Sequence, residues 1–137
     1  MSAVLQKEIL TLADLLERLG GVAPARIRFQ SAPGTAAEWD VLEIRDREKR
    51  LYELVKGVLV EKPTGIKESR IAIVIATELE LWMRNSRLGF VIGADGPMRL
   101  GPDLVRLPDV SVILHGQLPG GKFPVGPVSP VSPALAV

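Results

Sequence analysis

Three carboxylates stand where a charge needs a reason. Asp109 lies in "RLPDVSVIL", residues 106–114, directly ahead of an unbroken apolar run. A run this apolar suits a strand covered on both faces. Pro108 has no N–H to give to a ladder, so it opens that strand and makes Asp109 the first or second paired residue. A charge left buried and unpaired there costs on the order of several kcal/mol. Either Asp109 occupies a turn, as Pro102-Asp103 does after Gly101, or it meets a cation. Glu53, in "YELVKG", falls mid-strand and shares a face with Val55, opposite Tyr52 and Leu54. That placement fits an exposed carboxylate beside Lys56 or Lys62 as well as one directed into a site. Glu68 falls in the first turn of a long helix, near the centre of its apolar face. The helix dipole would favour an acid there on any face. Its inward position is what suggests convergence with the other two. Glu78 falls on the same face and reads as a rim or interface residue.

Three carboxylates, no cysteine and a single histidine point to a hard cation held by oxygen ligands. Mg²⁺ fits best, because it binds through one or two carboxylates and keeps waters for substrate phosphates. Such an ion polarises a phosphoryl oxygen and lowers the pKa of an attacking water. His115 stands alone near a glycine turn, which disfavours zinc and marks it as a loop histidine. Arg99 and Arg106 are candidate phosphate contacts, or solvated strand residues.

The elements that must position these residues follow from the pattern. "TLADLLERLGG" predicts an opening helix capped by Thr11, striped by Leu12, Leu15, Leu16 and Leu19 and ended by Gly20-Gly21. "SAPGTA" is a loop, and a second helix is expected from about Ala36 to Asp46. "LYELVKGVLVEKP" predicts a hairpin, Leu51–Val55 and Val58–Lys62, turned at Lys56-Gly57. In "KESRIAIVIATELELWMRNSR" Ile71, Val74, Ile75, Leu79 and Trp82 share a helix face, with Ala72 and Met83 at its edge. Gly89 is expected to end that helix. Two or three short strands follow up to Leu114, then a Pro- and Gly-rich loop from Leu118 to Pro133, then "ALAV" as the start of a strand. Pro127, Pro130 and Pro133 have the spacing of a polyproline II ligand, but a stiff crossover loop explains them equally.

The chain of 137 residues is long enough for one domain with a real core. At 47% hydrophobic residues and a formal net charge of +1, it is neither disordered nor a broadly basic nucleic-acid binder. An enzyme that meets DNA through a local groove remains compatible with that charge. The absence of cysteine excludes disulfides, thiolate metal sites and cysteine nucleophiles. No long apolar span or signal core is present, so a cytoplasmic protein without a membrane segment is expected.

Taken in order, "LADLLERLGGV", the Pro33-Gly34-Thr35 loop, "YELV-GVLVEK", "GIKESRIA", "LGFVIGADGPMRLGPDLVRLPDVSVI" and "LPGGKFP" resemble the Uma-type restriction endonucleases. These form a bacterial branch of the PD-(D/E)XK nuclease superfamily. The resemblance implies an α/β fold, a mixed, curved sheet flanked by helices, and cleavage of DNA with Mg²⁺. It makes Glu53 the acid of the first hairpin and Asp109 the central metal-binding aspartate. Glu68, in "ESR", matches a helix-start position. A single nuclease-like domain is implied, with residues 1–50 as a helical extension and 51–137 as the sheet core. Lys56 and Ala134 each replace an aspartate of the family pattern. In the family, "LAV" runs on into a glutamate and a downstream lysine, whereas this sequence ends at Val137. The expectation is therefore an incomplete, inactive nuclease domain whose strand Val110–Leu114 is partly unpaired, with homodimerisation through that edge. The alternative is a non-catalytic module that keeps the fold to bind DNA or another protein. A weaker alternative is an interaction protein using the Leu12–Leu19 stripe.

Overall fold

The fold is built around the hairpin. In the computed structural model, which describes residues 8–137, Lys56 and Gly57 both take positive φ, 51° and 75°. A two-residue hairpin turn needs that left-handed pair. The turn joins two strands in the expected register, with Leu54 opposite Leu59 and Glu53 opposite Val60. Gly57 is required for a second reason. A Cβ there would collide with the backbone of Gly34, whose N–H donates to the Gly57 carbonyl at 2.8 Å. The hairpin turn thus grips the loop that leads into the second helix.

In chain order the elements are α1 (Leu12–Arg18), β1 (Ile27–Arg28), α2 (Glu38–Glu48), β2 (Tyr52–Val55), β3 (Val58–Glu61), α3 (Ile66–Ser86), β4 (Gly89–Ile92), β5 (Met98–Gly101), β6 (Leu104–Arg106), β7 (Ser111–Leu114) and β8 (Leu135–Ala136). Five strands form one antiparallel sheet in the order β1-β3-β2-β6-β5, and three form another in the order β4-β7-β8. Helices and sheets combine as the expected mixed α/β architecture.

The larger sheet is covered on both sides. Tyr52, Leu54, Leu59 and Val105 pack with Val41 and Ile44 of α2, while Val55, Val58 and Val60 pack with Leu15 of α1 and Ile27. Helix α1 begins as the sequence requires. The Thr11 hydroxyl accepts from the Asp14 N–H at 3.2 Å, and the Asp14 carboxylate accepts from the Thr11 N–H at 3.0 Å. Leu15 is buried, but Leu12 is exposed, so the stripe is narrower than its spacing implies. Helix α2 runs two residues later than expected, from Glu38, where Arg99 of β5 grips its first turn.

Several expectations are corrected. Four strands, rather than two or three, lie between Gly89 and Leu114. Helix α3 ends at Ser86 on a left-handed Arg87, and Gly89 opens β4 instead of ending the helix. The apolar face of α3 turns largely outward, with Ile71 59% and Trp82 54% exposed and Val74 also exposed. The less exposed side carries Ala72, Ala76, Leu79 and Met83, of which Met83 is buried, and α3 packs on β4. Strand β7 opens at Ser111, so Asp109 precedes it. It is paired by β4 along its whole length, and by β8 only at Ser111 and Val112, so on that side it is partly unpaired at Ile113 and Leu114 as expected.

The Pro-rich stretch crosses the molecule. Val128 and Ser129 are buried, and Ser129 exchanges backbone bonds with Pro97 and Arg99. That is a crossover loop. Among the described residues no helix is long and apolar enough to cross a membrane.

Candidate functional site

Glu53, Glu68 and Asp109 line one cavity of about 460 Å³, together with Lys62, Leu107 and Val137. Four separate elements supply them. Glu53 comes from β2, Lys62 follows β3, Glu68 lies in the first turn of α3, and Asp109 precedes β7. An adjoining cavity of about 240 Å³ shares Lys62, Glu68 and Asp109 and runs along α3 to Ala76.

Each carboxylate has a distinct environment. The Glu53 side chain is only 14% exposed. One of its oxygens accepts from the Leu107 N–H at 2.9 Å and the other from the Arg106 guanidinium at 2.9 Å. It therefore ties the hairpin to the segment that leads into Asp109. The Asp109 side chain is more open, at 44%, and forms an ion pair with the Lys62 ammonium at 2.9 Å. The backbone of Asp109 is fixed through its N–H, which donates to the Val137 carbonyl at 2.8 Å. Lys62 is nearly buried, at 9%, and also donates to the Ala94 carbonyl at 2.8 Å. Glu68 is exposed and folds back over the helix N-cap, where its Oε2 fills the space that a Cβ on Gly65 would need. It is thus a rim residue of the cavity and is not aimed at the core.

This donor set does not fit a divalent ion as it stands. Among the described residues no group of three or more His, Cys, Asp or Glu side chains is arranged to hold a metal. Both oxygens of Glu53 are engaged, and Asp109 already has a cation beside it.

Residues 36–137 match the profile of Uma2, a family described as "putative restriction endonuclease". The chain belongs to the Uma2 family. That match spans 102 of the 137 residues, counted from 36 to 137, and includes every side chain of the cavity named above. No curated protein matches the chain. Family membership suggests a nuclease and agrees with the resemblance drawn from the ordered motifs.

The structure brings Glu53, Glu68 and Asp109 to one cavity, and it pairs two of them with cations. Of the two candidate phosphate contacts, Arg106 lies beside the cavity but is bound to Glu53. Arg99 lies elsewhere, in a two-bond clasp with Glu38 at 2.8 and 2.6 Å. His115 heads a short turn and packs edge-on against Phe90, with ring centroids 4.6 Å apart, so it is a structural residue. Lys62 is the residue that the sequence reading passed over as a mere neighbour of Glu53. Strand alternation could have found it. Glu53 pairs with Val60, and two residues on, Lys62 shares the face of Val60.

Proposed function

We propose that this Uma2 chain is a DNA-directed endonuclease domain whose site is the Glu53–Glu68–Asp109 cavity. One observation carries the reading: three acids far apart in sequence, on separate elements, meet at one cavity within the span that matches the family. Phosphodiester hydrolysis asks a protein to place carboxylates and cations around a phosphate and an attacking water. Asp109 is the more open of the two inner acids, Glu68 stands exposed at the rim, and Glu53 braces the segment that carries Asp109. Lys62 and Arg106 supply positive charge at the same place. Proteins of this restriction-endonuclease kind generally use divalent metals. In this chain Glu53 and Asp109 are paired with cations, so cleavage is expected to be slow.

A second reading is a non-catalytic DNA-binding module. It is favoured by the same pairings, Glu53 with Arg106 and Asp109 with Lys62, which leave a balanced rather than an acidic cavity. Nicking of supercoiled plasmid with Mg²⁺, run beside a gel-shift measurement, separates the two. Slow nicking that is lost in Asp109→Asn supports the endonuclease. A DNA shift with no nicking supports the binding module. Neither shift nor nicking would remove both readings.

A further inference from the structure

We infer that Lys62 controls access of divalent cations to Asp109, its ammonium standing in for the ion at that carboxylate. The inference rests on the nuclease reading and deepens it. Nothing in a strand-end lysine requires this role. A surface Lys–Asp pair is common, and its contribution to stability is small. Lys62 differs because its side chain is nearly buried while Asp109 remains 44% exposed. Both residues line the cavity, the cation as the more enclosed partner and the carboxylate as the more open one. The ammonium donates a hydrogen bond to the Ala94 carbonyl and lies 2.9 Å from the Asp109 carboxylate as an ion pair. The bond to Ala94 ties the ammonium to the β4–β5 connection, so it cannot swing away freely.

A divalent ion that approaches Asp109 from the open side meets a carboxylate already neutralised, with a like charge behind it. It must either bind against that repulsion or expel the lysine. Expulsion would break the bond to Ala94, and an ion that took Asp109 with the lysine in place would leave an enclosed ammonium without its counter-charge, which is costly. Removing the charge on Lys62 should reverse the balance. Asp109 and Glu68 would then face the cavity without a competing cation. One or two carboxylates are what Mg²⁺ and Mn²⁺ ask of a protein.

The test uses Mn²⁺ alone, without DNA, on the full chain. Free Mn²⁺ is followed by electron paramagnetic resonance during titration, with calorimetry as a second readout. Lys62→Met, which keeps the length and bulk of the stem, should tighten binding by about ten-fold or more. Lys62→Arg, which keeps the charge, should leave affinity near the wild-type value. The gain should vanish in the double variant Lys62→Met, Asp109→Asn. Lys62→Gln serves as a second neutral variant, judged in the same way if the methionine variant melts early. Equal Mn²⁺ affinity in wild type and both neutral variants would overturn the inference. So would a gain that survives Asp109→Asn. Either failure leaves the nuclease reading to be decided by plasmid nicking, which is a separate measurement.

Discussion

Replacing Glu53 by alanine should cost the fold more than it costs the charge of the cavity. The side chain is 14% exposed and accepts two bonds, each 2.9 Å, from the Leu107 N–H and the Arg106 guanidinium. Leu107 is itself buried, so its N–H loses its charged acceptor once the carboxylate is gone. A hydrogen bond to a charged group is worth about 1.5–3 kcal/mol, and an orphaned buried donor costs a similar amount. The Arg106 partner is 42% exposed, which discounts that bond toward the value of a surface pair, about 0.2–1 kcal/mol. Together these give about 2–3 kcal/mol for Glu53→Ala. For a domain of this size that corresponds to a fall in Tm of about 10 °C. Glu53→Gln keeps an oxygen for Leu107 and loses the charge facing Arg106, so it should fall about 1 kcal/mol short of wild type. Urea and thermal unfolding measure both. A Glu53→Ala protein within about 0.5 kcal/mol of wild type would refute the claim that Glu53 braces the lead into Asp109.

The Arg99 guanidinium, through two hydrogen bonds to Glu38, holds that carboxyl below the usual carboxylate range. Because the folded value is depressed, the stabilisation is present above an unfolded pKa of about 4.3 and is lost as pH falls through the folded value. Glu38→Gln should therefore flatten the acid side of a Tm–pH profile. Ser111→Ala removes a buried hydroxyl that has no partner among the described residues, and unfolding should show a gain of about 1 kcal/mol. Gly65→Ala places a Cβ where Glu68 Oε2 lies, so Glu68 should move while Tm changes little; Mn²⁺ titration of a Lys62→Met background reads the displacement. Trp82→Lys, on the outward apolar face of α3, should reduce concentration-dependent self-association in sedimentation without lowering Tm.

Local chemistry was the legible part of this sequence. Thr11 with Asp14, and Lys56 with Gly57, act through their own backbone neighbours, so a helix start and a hairpin turn could be placed before any tertiary contact was known. The face of α3 was not legible. An apolar count around a helix finds the greasiest side, but this helix buries Met83 and leaves Ile71 and Trp82 outside. At the cavity, acids could be singled out because a carboxylate near apolar neighbours is conspicuous. Lys62 was not conspicuous, since a lysine at a strand end reads as solvated. Only the β2–β3 register and the enclosure by the Ala94 loop give it significance.

The crossover loop has a kinetic consequence. Ser129 is bonded beside β5 in the larger sheet, and a few residues on, Leu135 and Ala136 complete the smaller sheet beside β7. Without that segment the smaller sheet is the β4–β7 pair, and a two-stranded pair is marginal in water. Residues 128–136 thus act as a stitch through both sheets, and the loops that bring the stitch home must close before its contacts give any return. The amides of β4, β7 and the stitch should therefore open and exchange with solvent together, as one cooperative unit rather than strand by strand.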